Sequence, residues 1–382
     1  MKHRWEYKKL GEVCTLTMGQ SPASESYNSE SDGLPFFQGC SDFGKINPTI
    51  RIYCNAPTKI AEANDVLMSV RAPIGTLNIA NVRCCIGRGL ASFRATTKAT
   101  NSYLYYFLKH SRNKLEALGT GSTFKAIGKD ALFKFPIPIP PIKEQEEICS
   151  LLDKLSLVIE KKKQQVKELD NLAQAIFYDM FGDVNTNNHS YDIQTLSSVC
   201  EILTDGTHQT PEYTQDIVNG VKFLSAKDVV GGVINWNNIK YIPQSLHESL
   251  YSRLAPKRND ILLCKNGTTG IAAVVETDEI FDIYVSLALL RLKDGYLPKY
   301  ILYAINNPTT KQQFDDSLKG VGVPNLHLGE IKKTRIVVPP LPLQQSFAQK
   351  VESIERQKEL INQSIREAQT LFDSRMEYYF GE

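Results

Sequence analysis

The hydrophobic positions of this chain follow two alternating regimes. From Pro141 to Gly182, PIKEQEEICSLLDKLSLVIEKKKQQVKELDNLAQAIFYDMFG, no glycine or proline breaks the interior, and apolar residues recur every three to four positions. Ile148, Leu152, Leu155, Ile159, Lys162, Val166, Leu169, Ala173, Ile176 and Met180 mark one stripe. A stripe with a period of about 3.5 held over many turns is a coiled-coil seam. Pro340–Gly381 repeats it at an offset of 199, through Phe347, Val351, Ile354, Lys358, Ile361, Ile365, Ala368, Phe372, Arg375 and Tyr379. Two helices of about 40 residues are predicted, each about 60 Å long. Two readings stay open: the helices pack on each other, or each lies independently on its own domain.

The other regime fills residues 1–140 and 183–338. Short β-branched and aromatic runs such as WEYKKLGEVCTL, LPFFQG, DVLMSVRAPIGTLNIA and RCCIGRGLASFRA are punctuated by Gly, Pro, Asn and Ser. They read as strands joined by tight connections. NSYLYYFLKHSRNKLEAL is the one good short helix candidate of the first half. FKFPIPIPPI alternates proline with apolar residues, which favours an extended strap that ends the domain. It also launches the long helix, whose first turn KEQEE sets acids near the positive end of the helix dipole.

The second half repeats the first. Leu10, Val13 and Cys14 match Leu196, Val199 and Cys200, and DVLMSVRAPIG at Asp65–Gly75 matches DILLCKNGTTG at Asp260–Gly270. LASFR at Leu90–Arg94 matches LALLR at Leu287–Arg291, Tyr103 matches Tyr300, and GTGSTFKAI at Gly119–Ile127 matches GVGVPNLHL at Gly320–Leu328. The offset drifts from 186 to 201 inside the domains and then holds at 199 through both helices. Such ordered matches are an internal duplication. The predicted fold class is α/β: two similar mixed α/β domains, 1–140 and 183–338, with helices 141–182 and 339–382 forming an antiparallel coiled coil about a pseudo-twofold axis.

Composition narrows the function. A chain of 382 residues, 42% hydrophobic and 23% charged, suits two folded domains. It holds no run of about 18 apolar residues that could cross a bilayer, and the start MKHRWEYKKL does not read as a signal peptide. The eight cysteines form no C-x-x-C pair and read as buried free thiols of a reducing compartment. The six histidines show no zinc spacing. Residues 1–140 carry 18 Lys and Arg against 10 Asp and Glu, whereas 183–338 carry 15 against 17. Only the first domain is plainly basic, so a polyanion would meet the two halves unequally. A rod of about 60 Å exceeds one turn of B-form DNA, and two heads on it would make a ruler.

No catalytic set emerges. GTGSTFK at Gly119–Lys125 lacks the G-K-[ST] of a phosphate loop, no glycine-rich loop sits in a βαβ context, and Asn307-Pro308-Thr309 is not the N-P-P-[YF] of amino-methylases. Asp205-Gly206-Thr207-His208 is a tight turn that serves either structure, contact with DNA, or, least of all, catalysis. Its counterpart in the first half is Met18-Gly19-Gln20-Ser21-Pro22.

On these motifs the chain resembles the specificity (S) subunit of type I DNA restriction-modification enzymes, over essentially all of its length. The carriers are TMGQSP at Thr17–Pro22, DVLMSVRAPIG, LTDGTHQTP at Leu203–Pro211, the exits FPIPIPPIKEQEEI and VVPPLPLQQSF, and the duplicated helices ending in Phe-Gly. The resemblance implies two target recognition domains and a non-catalytic, cytoplasmic chain. It would direct two modification (methyltransferase) subunits, and restriction subunits where present, to an asymmetric bipartite site on double-stranded DNA. The cofactors it implies lie elsewhere: S-adenosylmethionine in the modification subunit, ATP and Mg in the restriction subunit. Loops of such domains read major-groove edges. The DNA-binding candidates are Gln20, Ser21, Arg71, Ser122 and Lys125 in the first domain, and Thr207, His208, Lys265, Asn266, Thr268 and Asn325 in the second. Arg71 is a DNA contact, half of a structural ion pair, or simply exposed. Leu151, Val158 and Leu172 widen the first helical stripe and either dock modification subunits or lie under the chain's own domains. The rival readings are a stand-alone two-headed DNA-binding or scaffold protein and a methyltransferase without the usual signatures.

Overall fold

The computed structural model describes residues 5–121, 125–318 and 325–381. It divides into two compact units, Met1–Lys163 with Asn362–Glu382, and Gln164–Ile361. Compactness therefore cuts the chain differently from the sequence pattern. Each long helix, Ile142–Phe181 and Leu341–Phe380, is unbroken and gives one half to each unit.

In the first unit the strand order of the main sheet is Cys14–Met18, Leu90–Ala95, Val66–Ser69, Leu77–Ile79, antiparallel throughout. Its register sets Ala91 opposite Met18 and Met68, so the three strand ends lie level. A five-stranded sheet backs it, in which Leu34–Phe37 runs parallel to Cys84–Ile86. The proline-rich strap is a strand, Pro136–Ile139, paired with Glu6–Lys9. A two-stranded ribbon tolerates the missing proline donors because they can face outward. The helix expected from NSYLYYFLKHSRNKLEAL is broken in two, Asn101–His110 and Arg112–Ala117.

The second unit repeats this plan. Its sheet runs Cys200–Asp205, Leu287–Leu292, Ile261–Cys264, Ala272–Val274, and Asp192–Thr195 pairs with Arg335–Val338. Buried polar groups repeat with the strands. Arg94 binds Asp65 through Nε and Nη2 at 2.8 and 2.9 Å, and Arg291 binds Asp260 the same way at 2.9 and 2.7 Å. Gln145 accepts from the Thr100 N–H at 3.0 Å and donates to the Pro140 carbonyl at 2.9 Å. Gln344 does the same with Leu297 and Pro339. Each buried glutamine thus ties the first turn of a long helix to the head that precedes it.

Within each unit, one half of the first long helix shares a core with the opposite half of the last. Leu152 and Ile159 join Phe372, Met376 and Phe380 in the first unit, and Phe177 and Phe181 join Phe347 and Val351 in the second. This is the exchange of ends expected of an antiparallel pair. The predicted stripe holds except near the C-terminal ends. There Arg375 is exposed, and the buried positions step by four through Phe372, Met376 and Phe380. Ala173, Phe177 and Phe181 do the same in the first helix. A real helix drifts from a 3.5 repeat toward 3.6, and here aromatics of the head take over the contact. Phe380 lies 5.3 Å from Tyr103, and its repeat partner Phe181 lies 5.0 Å from Tyr300. Each helix closes on a glycine, Gly182 with φ 64 accepting the left-handed turn that ends it.

Candidate nucleic-acid interface

One backbone edge is built twice. In the first unit the Gly19 N–H donates to Leu90 O at 2.8 Å, and Gln20 N–H to Ile86 O at 3.0 Å. In the second, Gly206 donates to Leu287 O at 3.2 Å and Thr207 to Ile283 O at 3.0 Å. These bonds align Met18, Gln20 and Ser21 with Asp205, Thr207 and His208, as the sequence suggested. Glycine is required at both places, since a Cβ on Gly19 or Gly206 would lie 2.1 Å from the backbone oxygen of Gly87 or Ile283.

A second loop completes each edge. It leaves the strand Val66–Ser69 or Ile261–Cys264 and returns at Gly75 or Gly270, whose N–H donates to Ser69 O or Cys264 O. These glycines have φ of 81 and 79, a left-handed backbone that favours glycine. In this loop Arg71 forms a bridge with Ala126, and Asn266 forms the equivalent bridge with Asn325. Arg71 and Asn266 therefore occupy the same place in the repeat. Lys125 is exposed beside the Arg71 bridge, and Ser122 lies outside the described residues.

The side chains on the first edge are polar and basic. The Ser21 hydroxyl accepts from Gln38 Nε2 at 3.3 Å and from the Arg88 N–H at 3.4 Å, while the Gln20 side chain is exposed. Gln38, Ser41, Ser69, Arg71 and Arg88 line one cleft of about 220 Å³. Gln38 and Arg88 were missed by the sequence reading. A faint signal existed in Gly87-Arg88-Gly89: a Cβ on Gly89 would meet Gln38 O at 2.4 Å, so this tight turn has to hold Arg88 between glycines.

On the second edge two candidates change character. Lys265 is only 5% exposed, and its ammonium is bonded to the Asp205 carboxylate. It positions Asp205 and has no free face for a duplex. Thr207 is buried too, with its hydroxyl accepting from the Gln209 N–H at 3.2 Å. Burial pushes the Asp205 carboxyl up, but the hydrogen bond and charge of Lys265, aided by His208, overcome it and hold the group below its usual range. His208 is exposed with Nε2 3.3 Å from Asp205 Oδ1. Thr268 is exposed, and Asn266 and Asn325 are half-buried. The candidates that keep an accessible side chain here are His208, Asn266, Thr268 and Asn325.

Of the helical candidates, Val158 and Leu172 are exposed and Leu151 is half-buried. Leu157, Leu360 and Leu371 are exposed as well and were not foreseen. Leu172 and Leu371 are repeat partners at the offset of 199. Each unit also carries a groove between its helices and its head. The first, about 600 Å³, includes Tyr105, Tyr106, Lys109 and Ile159, and the second, about 710 Å³, has Leu302, Tyr303, Asn306 and Lys358 at the matching positions.

Among the described residues no group of three or more His, Cys, Asp or Glu side chains could hold a metal ion, and no helix is long and apolar enough to cross a membrane. Seven of the eight cysteines are buried, and burial pushes the thiols of Cys14, Cys84, Cys149 and Cys200 up to about 12.

The chain is thus a duplicated head, each copy carrying different side chains on the same backbone edge and packed on one half of each long helix. The chain belongs to the family described as type I restriction modification DNA specificity domain, which matches residues 2–170 and 188–370. The MjaX specificity subunit of Methanocaldococcus jannaschii is 41% identical over 175 residues, 45% of this chain and 41% of that subunit. The MjaIX type I restriction enzyme specificity subunit of the same organism is 22% identical over 90% of this chain and 85% of its own. The chain thus spans less than half of the first of these relatives. The solved type-I restriction-modification system S subunit of M. genitalium has the same fold over 99% of this chain and 96% of its own, with a TM-score of 0.56 at 15% identity.

Proposed function

We propose that this chain is the non-catalytic DNA-reading subunit of a type I restriction-modification assembly in the cytoplasm. Each head reads one half of a bipartite duplex target. The helices carry two modification subunits, which hold S-adenosylmethionine and methylate adenine, and restriction subunits with ATP and Mg join where the host encodes them. The observation that carries this reading is the twin edge. Its backbone bonds repeat at Gly19 and Gly206 and at the Arg71 and Asn266 bridges, while the side chains differ. A constant frame with variable donors and acceptors is what direct readout of two different half-sites needs.

The test is to co-express the chain with its modification partner and map methylated adenines across a genome. Exchanging residues 1–140 for those of another family member is expected to alter one half of the methylated sequence only. Change in both halves would defeat the two-head reading.

A further inference from the structure

We infer that Arg71 and Arg88 form a guanine-reading pair for the first half-site, with no counterpart in the second. This rests on the DNA-reading function proposed above. Both arginines are exposed and line the same cleft, together with the amide of Gln38. None of the residues lining that cleft is acidic. The nearby carboxylate of Asp42 is already engaged, accepting the Gln38 and Gly39 N–H groups at 2.7 and 3.3 Å and pairing with Arg51 at 2.7 Å. Other arginines of this unit do have carboxylate partners: Arg51 with Asp42, Arg83 with Glu62 and Arg94 with Asp65. Among the described residues Arg71 and Arg88 have none.

Their placement is fixed by backbone. The Val70 N–H donates to Gly89 O at 2.9 Å, so the residue after Val70 and the residue before Gly89 are brought to one spot. In the second unit the same bond joins Lys265 and Ser286, which places Asn266 at the position of Arg71 and Val285 at that of Arg88. The second edge thus holds an amide and an apolar side chain where the first holds two guanidinium groups. A guanidinium fork matches O6 and N7 of guanine in the major groove, and a lysine at the same place keeps charge without the fork.

The experiment uses the full chain in complex with its modification partner and duplexes selected from a pool randomised at every position. Wild-type complex is expected to enrich a guanine in the first half-site. Arg71→Lys or Arg88→Lys should weaken that preference about tenfold at one position while the slope of affinity against salt stays the same. Arg71→Asn should remove it, with the slope again little changed. The second half-site is expected to be unchanged. If the lysine variants keep the selected sequence and Arg71→Asn only lowers affinity uniformly, the arginines bind phosphate and the inference is overturned. It is equally overturned if none of the three variants changes anything. A wild-type complex that selects no sequence would instead sink the DNA-reading function itself.

Discussion

Met18 and Val70 in the first head, and Asp205 and Lys265 in the second, stand at the same two places in the repeat. In the first head both side chains are apolar, and Val70 is 3% exposed. In the second they are a half-buried carboxylate and a buried ammonium bonded to each other. The backbone around them is held by the same bonds in both heads. The edge therefore does not depend on what fills these positions, provided that the fillers match. A buried ion pair can often be replaced as a whole by apolar residues without loss, whereas removing one partner leaves a charge stranded.

The largest effect should come from breaking that match. Lys265→Met leaves half-buried Asp205 with only His208 beside it and is expected to cost the second unit about 3 kcal/mol, the low end for a broken buried pair. The double variant Asp205→Met with Lys265→Val installs the first head's pair and should return stability to near that of the native chain. Urea denaturation of the full chain checks both. A single variant as stable as the native chain would show that the two heads do not differ here in the way their side chains suggest.

Gly19→Ala and Gly206→Ala probe what the heads share. Either methyl would collide with a backbone oxygen at 2.1 Å, so the strand end must move. Overpacking of this kind costs about 1–3 kcal/mol. Each substitution is also expected to blur methylation at its own half-site and spare the other, read by methylation mapping. Equal damage to both half-sites would show that the edges do not work separately.

Acid should separate the heads more gently. The Asp205 carboxyl is held below its usual range in the folded chain, so its stabilisation is present above the unfolded value of about 3.9 and is lost as pH falls through the lower folded one. Met18 cannot titrate. Stability measured from pH 6 downward should therefore fall more steeply in the native chain than in the Asp205→Met, Lys265→Val variant. Parallel curves would contradict the assigned shift.

The repeat was legible in the sequence because its carriers are local: an Asp before an apolar strand, a glycine after it, a tyrosine in a helix. Asp65 and Asp260, Gly75 and Gly270, and Tyr103 and Tyr300 keep their roles in both units. The candidate site was less legible, since its chemistry depends on pairings distant in sequence. Lys265 in KNGTTG looks like an exposed loop cation until Asp205, sixty residues earlier, closes on it. Arg88 gains meaning only because Val70 bonds to Gly89 and brings Arg71 beside it. The helical seam was legible for most of its length but not at its ends. There Phe177 and Met376 follow the heads' aromatic side chains and leave the heptad.

The smallest expected effect on stability comes from the helices, where the halves agree. Leu172 and Leu371 are repeat partners, 47% and 44% exposed, each on its own unit. An exposed leucine replaced by aspartate should change folding stability by about 0.5 kcal/mol or less. If these leucines anchor modification subunits, each substitution removes an apolar contact from one docking surface and adds a charge that the interface must desolvate. Leu172→Asp or Leu371→Asp should then lower the complex from two bound subunits to one, and the double variant should bind none, as read by light scattering of the assembled complex. Because the two residues belong to different units, the two single variants should also lose methylation in different halves of the target. Full occupancy in the double variant would move docking to the grooves beside Tyr106 and Tyr303, where the two units present less similar side chains.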